Sequence, residues 1–239
     1  METLQAVSAP CGDRRGGLRE RLSEREAARY EVCMKGQTAH ARRAAAGLGL
    51  LALAGLLLQF ALMLPAFPTP VAALWRFVGY FTLLTNAWVA IAMLRAAAGR
   101  PLSPRWMTAL TLSILLVGVV YHVLLSATHH PVGLDWWANL TAHSLVPGLC
   151  LLYWLGFVDR SALSPADIPA FIAWPLAYIV YALARGSADG WYPYFFIEVP
   201  KLGWLQVLLN IAGLALAFAA AGLLFVMLGR RGPAGAVRP

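Results

Sequence analysis

The chain has 239 residues, 60% of them hydrophobic and only 13% charged, and its mean hydropathy is +0.65. Soluble domains carry about a quarter charged residues, so the composition excludes an ordinary soluble domain and points to an all-α, polytopic membrane protein. The net charge of +8 sits mostly beside apolar segments, where membrane topology accounts for it and no nucleic-acid partner is needed.

Residues 1–43 are polar, with nine Lys/Arg and six Asp/Glu. They lack the short basic n-region and A-x-A site of a cleavable signal peptide. The alternating charges of LRERLSEREAARYEVCMK allow a solvated helix; the other reading, a disordered basic cytoplasmic tail, is the expectation for 1–43. A membrane domain over 44–228 and a short basic cytoplasmic tail over 229–239 complete the expected organisation. The three cysteines, Cys11, Cys33 and Cys150, form no CxxC pair and no disulfide framework.

Six apolar segments follow, at about 44–67, 72–98, 106–128, 136–158, 167–185 and 202–228. Each approaches or exceeds the ~18–20 residues that cross a bilayer core as helix. The first stops at the breaker cluster Pro65, Pro68 and Pro70. With the N-terminus cytoplasmic, the inner side holds Arg95, Arg100, Arg105, Arg160, Arg230 and Arg231 besides the tail. The outer side holds Arg76, Arg185 and Lys201 against Asp135, Asp189 and Glu198. That asymmetry predicts a six-helix bundle with both termini inside. Trp75, Trp136, Trp137, Trp191, Tyr192 and Tyr194 mark the outer boundary, and Trp106 and Trp154 the inner one.

Polar side chains gather in the outer half. At about 1.5 Å per residue, Thr82 in the second span and His143 in the fourth lie at matched depth. Gly79, Thr82 and Asn86 share one helical face; Asn139, His143 and Pro147 share another. Further stripes are Gly118, His122 and Ser126; Trp174, Tyr178, Tyr181 and Arg185; and Gln206, Asn210 and Gly213. Polar groups in hydrocarbon require partners, so such stripes are expected to face the bundle interior. A structural role competes at each position: Thr82 and Thr85 can bond their own i−4 carbonyls, Tyr178 and Tyr181 can pack, and Arg185 can snorkel to the interface.

A threonine hydroxyl attacks only with a base in hydrogen-bond reach, and imidazole has the right pKa for that. Thr82 and His143 on facing helices would supply such a dyad. Asn139 would orient the ring, Asn86, Tyr178 or Tyr181 would donate to an oxyanion, and Thr85, His122 and Asn210 would support the cavity. Two other classes use the same residues: a non-enzymatic lipid-binding or transport bundle, and a haem or metal protein. The last needs facing histidines at several depths, and only His122 and His143 lie in spans; no metal or other cofactor is expected.

Three strings, GYFTLLTNAW in the second span, NLTAHSLVP in the fourth and GWYPYFFIE after the fifth, carry a family likeness. They resemble the androgen-induced and androgen-dependent (FAR-seventeen-a-like) group of six-span membrane hydrolases. The likeness is closer to its bacterial branch, Pr-six-Pr, with its YFT-x-x-[ST]-N, H-x-x-x-P and G-x-YP elements, and spans about 44–228. Animal members are threonine hydrolases of fatty acid esters of hydroxy fatty acids, acting through a threonine and a histidine. The resemblance therefore implies Thr82 as nucleophile, His143 as general base, and Trp191, Tyr192 and Pro193 as the aromatic loop. Thr85-Asn86 fits the bacterial pattern and departs from the animal one, where an acidic residue tends to follow; Trp174 to Tyr178 keeps the fifth-span element loosely. The implied setting is a bacterial inner membrane, with membrane lipids and a lipid-like ester as partners.

Overall fold

The computed structural model describes residues 24–127, 130–161 and 163–231. Among the described residues all regular structure is helical. Helix α1 (Glu24–Met63) begins inside the segment expected as a tail. Its residues 24–43 continue the first apolar helix without a break, and Arg42 ties them down by donating to the carbonyl of Ala97 at 2.8 Å. Residues 1–23 and 232–239 lie outside the described residues. At the other end Pro65 cannot continue the hydrogen-bond ladder, and α1 tightens into a 3-10 turn, Leu64–Ala66.

The second apolar segment is not one helix. It forms α2 (Pro70–Phe77) and α3 (Phe81–Ala97), bent by 88° at Val78–Tyr80. Thr69 caps α2 by accepting from the amide of Ala72 at 3.1 Å, with Pro70 at the first helical position. The break centres on Gly79. A Cβ there would stand 2.5 Å from the Trp191 ring and 2.9 Å from Arg185 Nη1, so only glycine lets these side chains close over the bend.

Helix α4 (Pro104–Val120) runs into a π turn, Tyr121–Leu125. Helix α5 (Leu134–Leu140) joins α6 (Val146–Phe157) through a second π turn, Thr141–Leu145. Pro147 has no amide for the carbonyl four residues back and its ring crowds that carbonyl, which belongs to His143. The widened register relieves the conflict. Helix α4 packs onto the same spot, where a Cβ on Gly118 would lie 2.9 Å from the His143 carbonyl oxygen.

Helix α7 (Ile168–Asp189) contains Pro175 and ends on left-handed Gly190. A loop with one 3-10 turn (Phe195–Ile197) leads to α8 (Val199–Arg231), which kinks at Gly203. Helix α1 packs along α3, α4 lies between α6 and α7, and α7 pairs with α8. Met93, Leu110, Ile114, Trp154, Phe171 and Val226 belong to a fully buried core at the end of the bundle away from Tyr194. Trp154 is held there by donating to the Thr108 hydroxyl at 2.8 Å. Leucines such as Leu205 and Leu216 point outward, 75% and 71% exposed.

Five stretches are long and apolar enough to cross a membrane: Thr38–Ala66, Pro104–Leu125, Leu134–Phe157, Pro165–Asp189 and Val199–Gly229. The bent pair Pro70–Phe77 and Phe81–Ala97 makes a sixth when taken as one span. Apolar helices of this length with outward-facing leucines are compatible with an integral membrane protein.

Candidate functional site

The bend converts the second span's polar notch into a helix start. Thr82 is the second residue of α3, which has Tyr80 as its N-cap. The first amides of a helix have no intrahelical partner and carry its positive dipole end. Here a side chain from the α7–α8 loop meets them: the Tyr194 hydroxyl accepts from the amide of Phe81 at 3.1 Å, beside Thr82. Burial pushes the Tyr194 phenol upward, against the lowering effect of its partners at the helix start. The group therefore stays protonated and able to donate.

Thr82 and Tyr194 line a cavity with His143, Tyr178, Tyr121 and Phe218 among its walls. Its volume is about 50 Å³. Nearly all of the remaining wall is aliphatic or aromatic, from α4, α7 and α8. The site is an apolar chamber with a hydroxyl pair at a helix N-terminus on one side and an imidazole on another.

His143 lies in the second π turn and is half-buried. Its Nδ1 stands 3.1 Å from the Asn139 carbonyl. A carbonyl can only accept, so Nδ1 carries the proton and, in neutral imidazole, the basic lone pair sits on Nε2. The ring stacks on Tyr121 with centroids 4.1 Å apart and planes at 27°. The Asn139 amide donates to the Tyr121 hydroxyl at 2.8 Å. Asn139 thus orients His143 through its backbone and, by way of Tyr121, through its side chain. π turns recur at functional sites because they re-aim side chains.

The other expected site residues divide into supports and outliers. The Asn86 amide donates to the Thr82 carbonyl at 2.8 Å and to the Ala142 carbonyl at 3.3 Å, joining α3 to the π turn that bears His143. Both of its protons are engaged, so it binds the two walls together and is no oxyanion donor. Thr85 is fully buried and accepts from Trp174 Nε1 at 3.0 Å. Tyr178 donates to the Gly79 carbonyl at 2.8 Å and Tyr181 to the Val78 carbonyl at 3.1 Å. These phenols satisfy carbonyls left open by the bend and are not turned toward a ligand. Asn210 donates to the Phe196 carbonyl at 2.8 Å and fixes the Tyr194 loop.

His122 stands apart. It is exposed, outside the cavity wall, with Nε2 2.9 Å from Ser144 Oγ. Arg185 does not snorkel: it is 5% exposed, pairs with Asp189 at 3.3 Å and lies over the Trp75 ring at 4.0 Å. Trp191 packs under Arg76 at 3.9 Å and edge-on to Tyr80 at 5.3 Å, while the Tyr192 ring lies against Gly186. The aromatic loop therefore buttresses the bend, and its Tyr194 reaches the start of α3. No group of three or more potential metal-ligating side chains occurs among the described residues. No family model, no curated protein and no solved structure matches the chain.

Proposed function

We propose that the protein is an integral membrane hydrolase of fatty-acyl esters, with Thr82 as nucleophile and His143 as general base. The observation that carries this reading is the shared cavity: one apolar chamber is lined both by Thr82, at a helix N-terminus, and by His143 in its Nδ1-protonated form. Thr82 Oγ attacks the ester carbonyl as its proton passes to His143 Nε2. The oxyanion is held by the Tyr194 hydroxyl and the positive end of α3. Collapse expels the alcohol, which takes the proton back from His143, and water guided by the same base releases the fatty acid from acyl-Thr82. The six-span hydrolase resemblance supports this assignment, as does the aliphatic wall, which suits an acyl chain and excludes bulk water. The basic residues outside the spans support cytoplasmic termini, and the resemblance favours a bacterial inner membrane.

The test is turnover of a long-chain lipid ester by the purified full chain in liposomes. Ester cleavage that disappears in Thr82→Ala and in His143→Gln supports the proposal. Cleavage unaltered by Thr82→Ala overturns it. One observation favours a second reading, a lipid-binding bundle without catalysis: nearly all of the chamber wall is apolar. That reading requires ligand retention with no product from the wild-type protein.

A further inference from the structure

The 88° bend sets α2 at nearly a right angle to α3, so that with α3 crossing a bilayer α2 runs close to the membrane plane. Val71, Leu74 and Trp75, spaced i, i+3 and i+4, are exposed on one side of α2. Such an apolar face seats a short interfacial helix where headgroups meet acyl chains.

Two guanidiniums gather beside that face. Arg76, on α2, is half-buried, lies over the Trp191 ring at 3.9 Å and pairs with no carboxylate among the described residues. Arg185, on α7, is nearer Trp75 than Trp191, at 4.0 Å and 5.4 Å from the two rings. Its Nε donates to Asp189 at 3.3 Å and its Nη1 to the Tyr181 hydroxyl at 3.0 Å. Its Nη2 is buried and has no hydrogen-bond partner among the described residues. Asp189 is already engaged, accepting from Arg185 and Trp75 Nε1 on one oxygen and from the Trp191 amide on the other. The cluster therefore sets two positive charges against one negative charge. Stacking on indole faces offsets part of that excess but gives Nη2 no acceptor. A buried cationic donor without an acceptor is costly in an apolar span, and an anion removes the cost.

We infer that Arg76 and Arg185 form a binding site for the phosphate of an anionic phospholipid headgroup, seated against α2. The charge excess selects an anion, Nη2 supplies a directed donor, and the apolar face of α2 sets both at the depth of lipid phosphates. Arginine matches phosphate oxygens with paired, charge-assisted hydrogen bonds. Trp75 is the movable cover: it is 53% exposed, and its bond to Asp189 at 3.0 Å lies at the surface. Turning this ring aside opens Nη2 while Asp189 keeps its bonds to Arg185 and the Trp191 amide. The inference needs the chain to sit in a bilayer and is independent of ester chemistry at Thr82.

The test is native mass spectrometry of the full chain released from detergent micelles with dioleoyl phosphatidylglycerol, dioleoyl phosphatidylcholine or inorganic phosphate. Phosphatidylglycerol is expected to be retained over phosphatidylcholine, whose choline brings like charge to the guanidiniums. Arg76→Gln is expected to weaken phosphatidylglycerol binding about fivefold, the worth of one basic residue at a lipid surface. Arg185→Lys keeps the charge, removes the Nη2 donor and is expected to weaken binding by about tenfold. Arg100→Gln removes the same charge from an exposed residue past the other end of α3 and should leave binding unaltered. Equal retention of the two lipids, or an equal loss in Arg100→Gln, overturns the site. Inorganic phosphate held as tightly as phosphatidylglycerol overturns the lipid as its source. Arg76→Gln carries the test by itself where Arg185→Lys fails to fold.

Discussion

The Nδ1 atom of His143 lies 3.1 Å from the Asn139 carbonyl oxygen, one turn earlier on the same helix. This contact fixes the neutral tautomer whose basic nitrogen is Nε2, the form required of a ring that takes a proton from Thr82. Replacing His143 by Gln keeps a polar side chain of similar reach and removes the base. Ester turnover is expected to fall by about 10²–10⁴-fold, with the protein's thermal unfolding little changed. A variant retaining more than half of wild-type turnover contradicts the base assignment.

Tyr194 gives the sharpest contrast between a structural and a catalytic hydroxyl. Tyr194→Phe preserves the stacking on Phe196, whose centroid is 5.3 Å away, and removes only the oxygen that meets the Phe81 amide. The loss of one oxyanion donor typically lowers kcat by about 10²–10³-fold. KM for a palmitoyl ester should barely move, because the donor acts on charge that appears in the transition state. A change confined to KM would show that the hydroxyl merely shapes the chamber.

Asn86 tests whether the two walls are held in register by one amide. Asn86→Leu leaves the Ala142 carbonyl without this donor and severs a link between α3 and the His143 turn. Hydrogen bonds between membrane helices average about 0.6 kcal/mol and reach about 1.7, so a destabilisation within about 0.6–1.7 kcal/mol is expected in denaturation from mixed micelles. An unaltered unfolding midpoint would place the register elsewhere.

Gly118 reports on the packing behind the base. Any side chain there meets the His143 carbonyl, 2.9 Å from the position of an added Cβ, on rigid helix backbone. Gly118→Val is expected to cost about 1–3 kcal/mol through overpacking, and to lower turnover by displacing the π turn. Gly148→Ala, where an added Cβ has nothing within 4 Å, is the control and should be neutral.

Much of the bundle was legible in the sequence because hydropathy and charge act over whole segments. The apolar runs gave the helices, and Pro65 ended the first of them for a reason visible in the chain; the fifth runs on past 185 to Asp189, where Gly190 caps it. The 88° bend was not legible: the run around Gly79 is as apolar as a continuous span, and the break depends on Arg185 and Trp191, more than a hundred residues away. For the same reason Asn86, Tyr178 and Tyr181 read as donors to a substrate, whereas the bend and the π turn supply carbonyls that engage them. Tyr194 was taken for an interface aromatic. The only local signal for it is the aromatic density of GWYPYFF, which does not say which ring reaches the start of α3.

The most direct measurement of the central claim is site-mapped labelling of the full chain in native membranes by a fluorophosphonate that targets activated hydroxyls. The account predicts a single adduct on Thr82, lost in Thr82→Ala, retained in Thr82→Ser and strongly slowed in His143→Gln. Undiminished labelling of Thr82→Ala, or an adduct mapped to Ser144 beside His122, would contradict it.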